Sequence, residues 1–121
     1  MAELGSKEEF EMQIKALKLK YIDTLPERKR VIGKLWQRLR QGRFDCAVAQ
    51  ELNRRAHNLV GSGGLHGYSG ITDAARDIET LLSDVLVSKQ IAPHVAVRFD
   101  QLLQRLGEVF DESISEKSFE R

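Results

Sequence analysis

Apolar residues recur at intervals of three and four along almost the whole chain, a period that fits amphipathic helices and leaves no strand pattern to compete. Phe10, Ile14, Leu17 and Tyr21 set one stripe on a first helix, predicted over residues 7–22. Thr24-Leu25-Pro26-Glu27 reads as the next helix start, because a threonine N-cap with glutamate three residues later makes a capping box and proline is tolerated in the first turn. Val31, Leu35 and Leu39, with Ile32 and Trp36 beside them, widen the stripe of this second helix up to Gly42, where glycine can take the left-handed cap. Asp45 is placed to cap a third helix that carries Val48, Leu52, Ala56 and Leu59 on one face. After a break at Gly67-Tyr68-Ser69, a fourth stripe runs through Ile71, Ala74, Ile78, Leu82 and Val85. Beyond Pro93 a fifth holds Val95, Phe99, Leu102, Leu106 and Phe110.

Connections this short join helices most naturally as antiparallel neighbours. The expected fold is therefore all-α: an up-down-up-down four-helix bundle with an additional N-terminal helix packed across it. The chain has 121 residues, enough for one core, and a single domain is expected over residues 7–112, with flexible termini at 1–6 and 113–121. A content of 41% hydrophobic and 31% charged residues, with only two prolines, fits a soluble helical protein and not a disordered one. Nineteen Lys and Arg against eighteen Asp and Glu leave +1, so no overall field gathers nucleic acid or anionic membrane. The one cysteine, Cys46, has no partner for an internal disulfide. No stretch has the form of a signal peptide or the roughly 18 apolar residues of a membrane span, and cytoplasm is the expected location.

The segment richest in information is Arg54-Arg55-Ala56-His57-Asn58-Leu59-Val60-Gly61-Ser62-Gly63-Gly64-Leu65-His66-Gly67, where a helical stripe passes straight into four glycines. Glycine inside a helix costs about 1 kcal/mol relative to alanine. By propensity alone the third helix would end at Gly61 and a loop would follow. His57 is one position past the core residue Ala56, so it turns about 100° away, toward solvent. An imidazole has a reference pKa near 6.5 and at neutral pH is mostly an uncharged nucleophile that needs no dedicated base.

Ala56-His57-x-Leu59-x-Gly61-Ser62, with Gly67 ten residues after the histidine, resembles the signature of histidine-containing phosphotransfer (HPt) domains. Leu25-Pro26-Glu27-Arg28, Ala74-Ala75-Arg76-x-Ile78-Glu79 and the last amphipathic helix extend the resemblance over roughly residues 10–112. The resemblance implies that the helix continues through the glycines. It also implies that His57, through its distal nitrogen, accepts a phosphoryl group from a receiver-domain phospho-aspartate and passes it to another receiver. Such a chain is a phosphocarrier and not a stand-alone enzyme. It needs no cofactor of its own, since magnesium belongs to the partner receiver, and its partners are receiver domains and a hybrid sensor histidine kinase. A monomer is expected.

Gly61 and Gly64 lie one and two turns beyond His57 on the same side, where missing side chains let a partner's active site approach. Gly63 faces inward, four residues past Leu59, and has a packing role. Three residues after the histidine the family commonly has lysine, whereas Val60 stands here and enlarges the apolar docking patch. Arg54 is the candidate to supply the missing charge, with Asn53 one turn back as a hydrogen-bond donor.

Other readings of these residues are weaker. His57, His66 and Cys46 are too far apart along a helix to converge on a metal, and no metal site is expected. The glycines lack the Gly-Lys-Ser/Thr of a nucleotide-binding loop. The basic runs near Arg28 and Arg38 alternate with stripe residues, as on a solvated helix face, so no nucleic acid is expected. His66 and His94 read as solvated caps. Two alternatives stay open: a degenerate HPt-like domain that docks receivers without accepting phosphate, and a structural helical-bundle scaffold.

Overall fold

A computed structural model describes residues 2–120, with side chains from residue 5 to residue 116. Five helices follow one another: α1 (Ala2–Asp23), α2 (Leu25–Gln41), α3 (Cys46–Leu65), α4 (Ser69–Ser88) and α5 (Pro93–Glu120). There is no strand among the described residues.

Only Thr24 separates α1 from α2, and its backbone stays helical at φ −83° and ψ −15°, so the two run as one bent helix. The expected capping box does not form. Thr24 N–H is already bonded to Tyr21 O at 3.0 Å, its hydroxyl donates to the same carbonyl at 2.6 Å, and Glu27 pairs with Arg30. A helix that continues from the preceding turn offers no free N–H groups to cap. The first helix is also longer than residues 7–22, and it does not lie across the bundle. Phe10, Ile14 and Leu17 are exposed, and of that stripe only Tyr21 is buried. Tyr21 stacks on His66 at the C-cap of α3, with ring centroids 4.4 Å apart, so the earlier stripe residues run past the end of α3 and find no helix to cover them.

The other stripes meet as expected. Ile32, Trp36 and Leu39 of α2, Val48, Leu52, Ala56 and Leu59 of α3, and Ile71, Ala74, Ile78 and Leu82 of α4 are buried together with Phe99, Leu102, Leu106 and Phe110 of α5. Val31 and Leu35 are only half-buried, so the α2 stripe centres on Ile32 and Trp36 instead. Asp45 caps α3 as expected, its carboxylate accepting from Ala47 N–H at 3.0 Å and Val48 N–H at 3.2 Å. Gly42, however, is extended (φ −139°, ψ −160°) and not left-handed. Beyond residue 112 the helix continues where the apolar period fades. Ser113 is buried and donates to Val109 O at 2.9 Å, an outlet for a hydroxyl in a helix that lets the turn persist.

Contacts between helices pair early residues of one with late residues of the next. Trp36 Nε1 donates to Asp100 at 2.7 Å, and Lys29 lies against Gly107, so α2 and α5 run antiparallel. Asp77 pairs with Arg105, and Gly70 lies against Val109, which sets α4 antiparallel to α5. The most extensive contact is between α3 and α4, and it builds the site described next.

Candidate functional site

The helix α3 runs unbroken through Gly61, Gly63 and Gly64 to Leu65, the continuation that the resemblance implied and propensity alone did not. Its stop is made by backbone geometry. Gly67 takes φ +83°, Tyr68 N–H donates to Gly63 O at 2.7 Å, and Gly67 N–H donates to Gly64 O at 3.1 Å. This is a Schellman motif, whose left-handed residue is a glycine because a Cβ would be strained there. The motif reverses the chain at once into α4.

Gly63 lets the two helices close tightly. A Cβ at Gly63 would stand 2.9 Å from Thr72 Oγ1 and 3.1 Å from Thr72 N. Because that space is vacant, the Thr72 hydroxyl reaches over the α3 backbone and donates to Val60 O at 2.8 Å. Gly61 differs: a Cβ there would meet nothing within 4 Å. Its side of α3 is open to solvent, and Gly64 is open there too, apart from an ordinary 3.4 Å approach to Thr72 Oγ1.

His57 stands on this open side with its side chain 72% exposed. Its Nδ1–H donates to Glu79 Oε2 of α4 at 2.6 Å, and Glu79 is itself only 26% exposed. The carboxylate holds Nδ1 and the ring plane, and Nε2 has no partner among the described residues. Glu79 was not singled out as a site residue from the sequence. One signal could have found it: His57 and Glu79 are equally far from Tyr68, so a tight antiparallel hairpin turned there must set them face to face.

The remaining candidate residues divide. Val60 is half-buried against the core and shows only an edge. Asn53 is half-buried, and its Oδ1 has no hydrogen-bond partner among the described residues. Arg54 is taken up by Glu51, one turn further from His57, through hydrogen bonds of 3.0 and 2.5 Å. Arg55 donates to the same carboxylate at 2.9 Å. The two guanidiniums, Arg54 first, hold the Glu51 carboxyl down to about 2. An α-helix favours such i, i+3 and i, i+4 pairs, and this pull toward Glu51 turns Arg54 away from the histidine.

His66 is not a solvated cap. It is partly buried, stacks on Tyr21, and donates from Nδ1 to Ser62 O at 2.8 Å. Tyr21 Oη and Ser62 Oγ share a further hydrogen bond of 2.8 Å. Burial raises the Tyr21 phenol above its ordinary value, against the opposing pull of Ser62 and Arg28. This cluster ties the bent first helix to the C-terminal end of α3. Next to it Ile14, Leu17 and Leu65 stay exposed and line an apolar cleft with Lys18, His66 and Gly67. His94 is exposed at the start of α5, as expected. Cys46 is exposed as well, and among the described residues no group of three or more His, Cys, Asp and Glu gathers to hold a metal ion. No helix among them is long and apolar enough to cross a membrane.

Comparison with known proteins matches the chain to a family. The family model described as Hpt domain aligns with residues 16–109, a span that takes in α2, α3, α4 and most of α5. No curated protein and no solved structure matches the chain.

Proposed function

The chain belongs to the Hpt domain family, and on that premise we propose that His57 is its phosphoacceptor, taking a phosphoryl group from the phospho-aspartate of one receiver domain and yielding it to another. Family members serve phosphotransfer in two-component relays as phosphocarriers. The observation that carries the reading for this chain is the pair His57–Glu79, an exposed imidazole whose inner nitrogen is engaged and whose outer nitrogen is free. The antiparallel contacts support the up-down-up-down arrangement of the bundle.

In the transfer, the Nε2 lone pair attacks phosphorus in line, the N–P bond forms, and the acyl P–O bond breaks to return the aspartate carboxylate. Positive charge develops on the ring as Nε2 is consumed. The Glu79 carboxylate, already accepting from Nδ1–H, stabilises that charge without any proton having to leave. The reverse reaction, to a second receiver, runs through the same geometry. Receivers are expected to bring their own magnesium ion and to supply most of the charge stabilisation, so this chain contributes the nucleophile and a surface. Open backbone at Gly61 and Gly64 lets the receiver's active site come close to Nε2. The exposed edge of Val60 and the apolar cleft at Ile14, Leu17 and Leu65 add area for a small, fast-releasing contact. A phosphocarrier of this kind works in the cytoplasm as a monomer beside a hybrid sensor histidine kinase.

The test mixes the chain and its His57→Gln variant with a panel of radiolabelled phospho-receivers. Label on the wild type alone, labile to acid and stable to alkali, is the expected result. Binding of receivers without label would replace this reading with a docking-only domain, a role that Val60 in place of a basic residue would suit.

A further inference from the structure

A phosphoryl group on Nε2 adds a charge of roughly −1.5 to −2 to a site whose nearest ionisable neighbour is the Glu79 carboxylate. The repulsion calls for a cation near the outer edge of the ring. On α3 the two candidates, Arg54 and Arg55, are both bound to Glu51. On α4 the register fixed by Thr72 against Val60 and by Glu79 against His57 places Arg76 between those two contacts, across from the stretch of α3 between His57 and Val60. Thr72, Arg76 and Glu79 fall on one side of α4, at spacings of four and three. Arg76 is exposed, and its ion pair with Asp73 is loose at 3.6 Å, outside hydrogen-bond range. No side chain stands at Gly61 or Gly64 to block its swing.

We propose that Arg76 is the phosphoryl-binding cation of this site, its guanidinium leaving Asp73 and closing on the group carried by His57 from across the α3–α4 groove. The inference rests on His57 being the phosphoacceptor. Lysine at this place would serve less well, because a planar guanidinium can offer two parallel N–H groups to two phosphoryl oxygens.

Phosphoramidate probes the site without a receiver: Nε2 forms the N–P bond as the donor's P–N bond breaks and ammonia leaves. The wild type and the Arg76→Ala, Arg76→Lys, Arg54→Ala and His57→Gln variants are treated with it, and the phosphohistidine signal is titrated by phosphorus NMR. A cation beside the phosphoryl group favours its dianion. Arg76→Ala should therefore raise the phosphoryl pKa by about half a unit and shorten the lifetime of the phosphorylated form about threefold. Arg76→Lys should restore part of both, and Arg54→Ala should change neither. Thermal melts confirm that the variants fold. Labelled wild type with an unchanged titration in Arg76→Ala, or a shift in Arg54→Ala instead, overturns the inference and leaves the phosphoacceptor role standing. No phosphohistidine on wild-type His57 from phosphoramidate or from any phospho-receiver overturns both.

Discussion

Gly63 and Gly61 stand two residues apart on α3, and their surroundings differ completely. Gly63 faces inward, where Thr72 fills the space a side chain would need. Gly61 faces outward, and among the described residues a Cβ there would meet nothing within 4 Å. The inner face of α3 sets how closely α4 packs and so brings Glu79 to His57. On the outer face, a glycine in mid-helix costs about 1 kcal/mol, and no internal contact repays that cost. Under the proposed function, a receiver that approaches the helix there is what such a glycine serves.

Gly63→Val should separate the two faces most sharply. It drives side-chain atoms into Thr72 and should lower stability by about 2–3 kcal/mol, read by urea or thermal unfolding; a smaller loss would mean that α3 and α4 are free to part. Glu79→Gln keeps the size of the side chain but removes the charge that, under the proposed function, stabilises the phosphorylated ring. It should slow capture of label by His57 about tenfold, equivalent to about 1.4 kcal/mol, with stability almost unchanged. Gly61→Ala should raise stability by about 1 kcal/mol while slowing transfer from receivers but not from phosphoramidate. Equal transfer from receivers would break the comparison, because it would leave Gly61 without a partner to serve.

The smallest effect is on pH dependence. The folded Glu51 carboxyl is held at about 2 against an ordinary value of 4.5, so its pairing with Arg54 and Arg55 stabilises fully above the ordinary value. That contribution is lost as pH falls from there toward the folded value. Glu51→Gln should make the acid side of the stability profile slightly shallower over this window. The change is slight because the pair lies in open water, where solvent screens it.

Much of this was legible in the sequence, for identifiable reasons. The spacing of Val48, Leu52, Ala56 and Leu59 gives the buried face of α3 because all four find partners within the chain. The same period in Phe10, Ile14 and Leu17 gives a helix but not its burial, since periodicity carries no information on whether a partner helix extends far enough to cover it. Asp45 was readable as a cap because it begins an isolated helix, whereas Thr24 was not, because α1 feeds directly into α2. Continuation of α3 through its glycines contradicts propensity and followed only from the family motif. His57 entered as a candidate through that motif, but its contact with Glu79 depended on the register of two helices, and that register is set by one left-handed residue, Gly67. The pairing of Arg54 was not legible, because a position on the right face does not reveal that Glu51 competes for the side chain.

The most direct test locates the phosphoryl group at atomic resolution. The chain, labelled with nitrogen-15 in its histidines, is phosphorylated by a phospho-receiver, and phosphorus–nitrogen coupling is read by NMR. The account predicts one phosphohistidine, at His57, bonded through Nε2, with Nδ1 still protonated and facing Glu79. A phosphoryl group on Nδ1, on His66 or His94, or on no histidine after exposure to every receiver would contradict it.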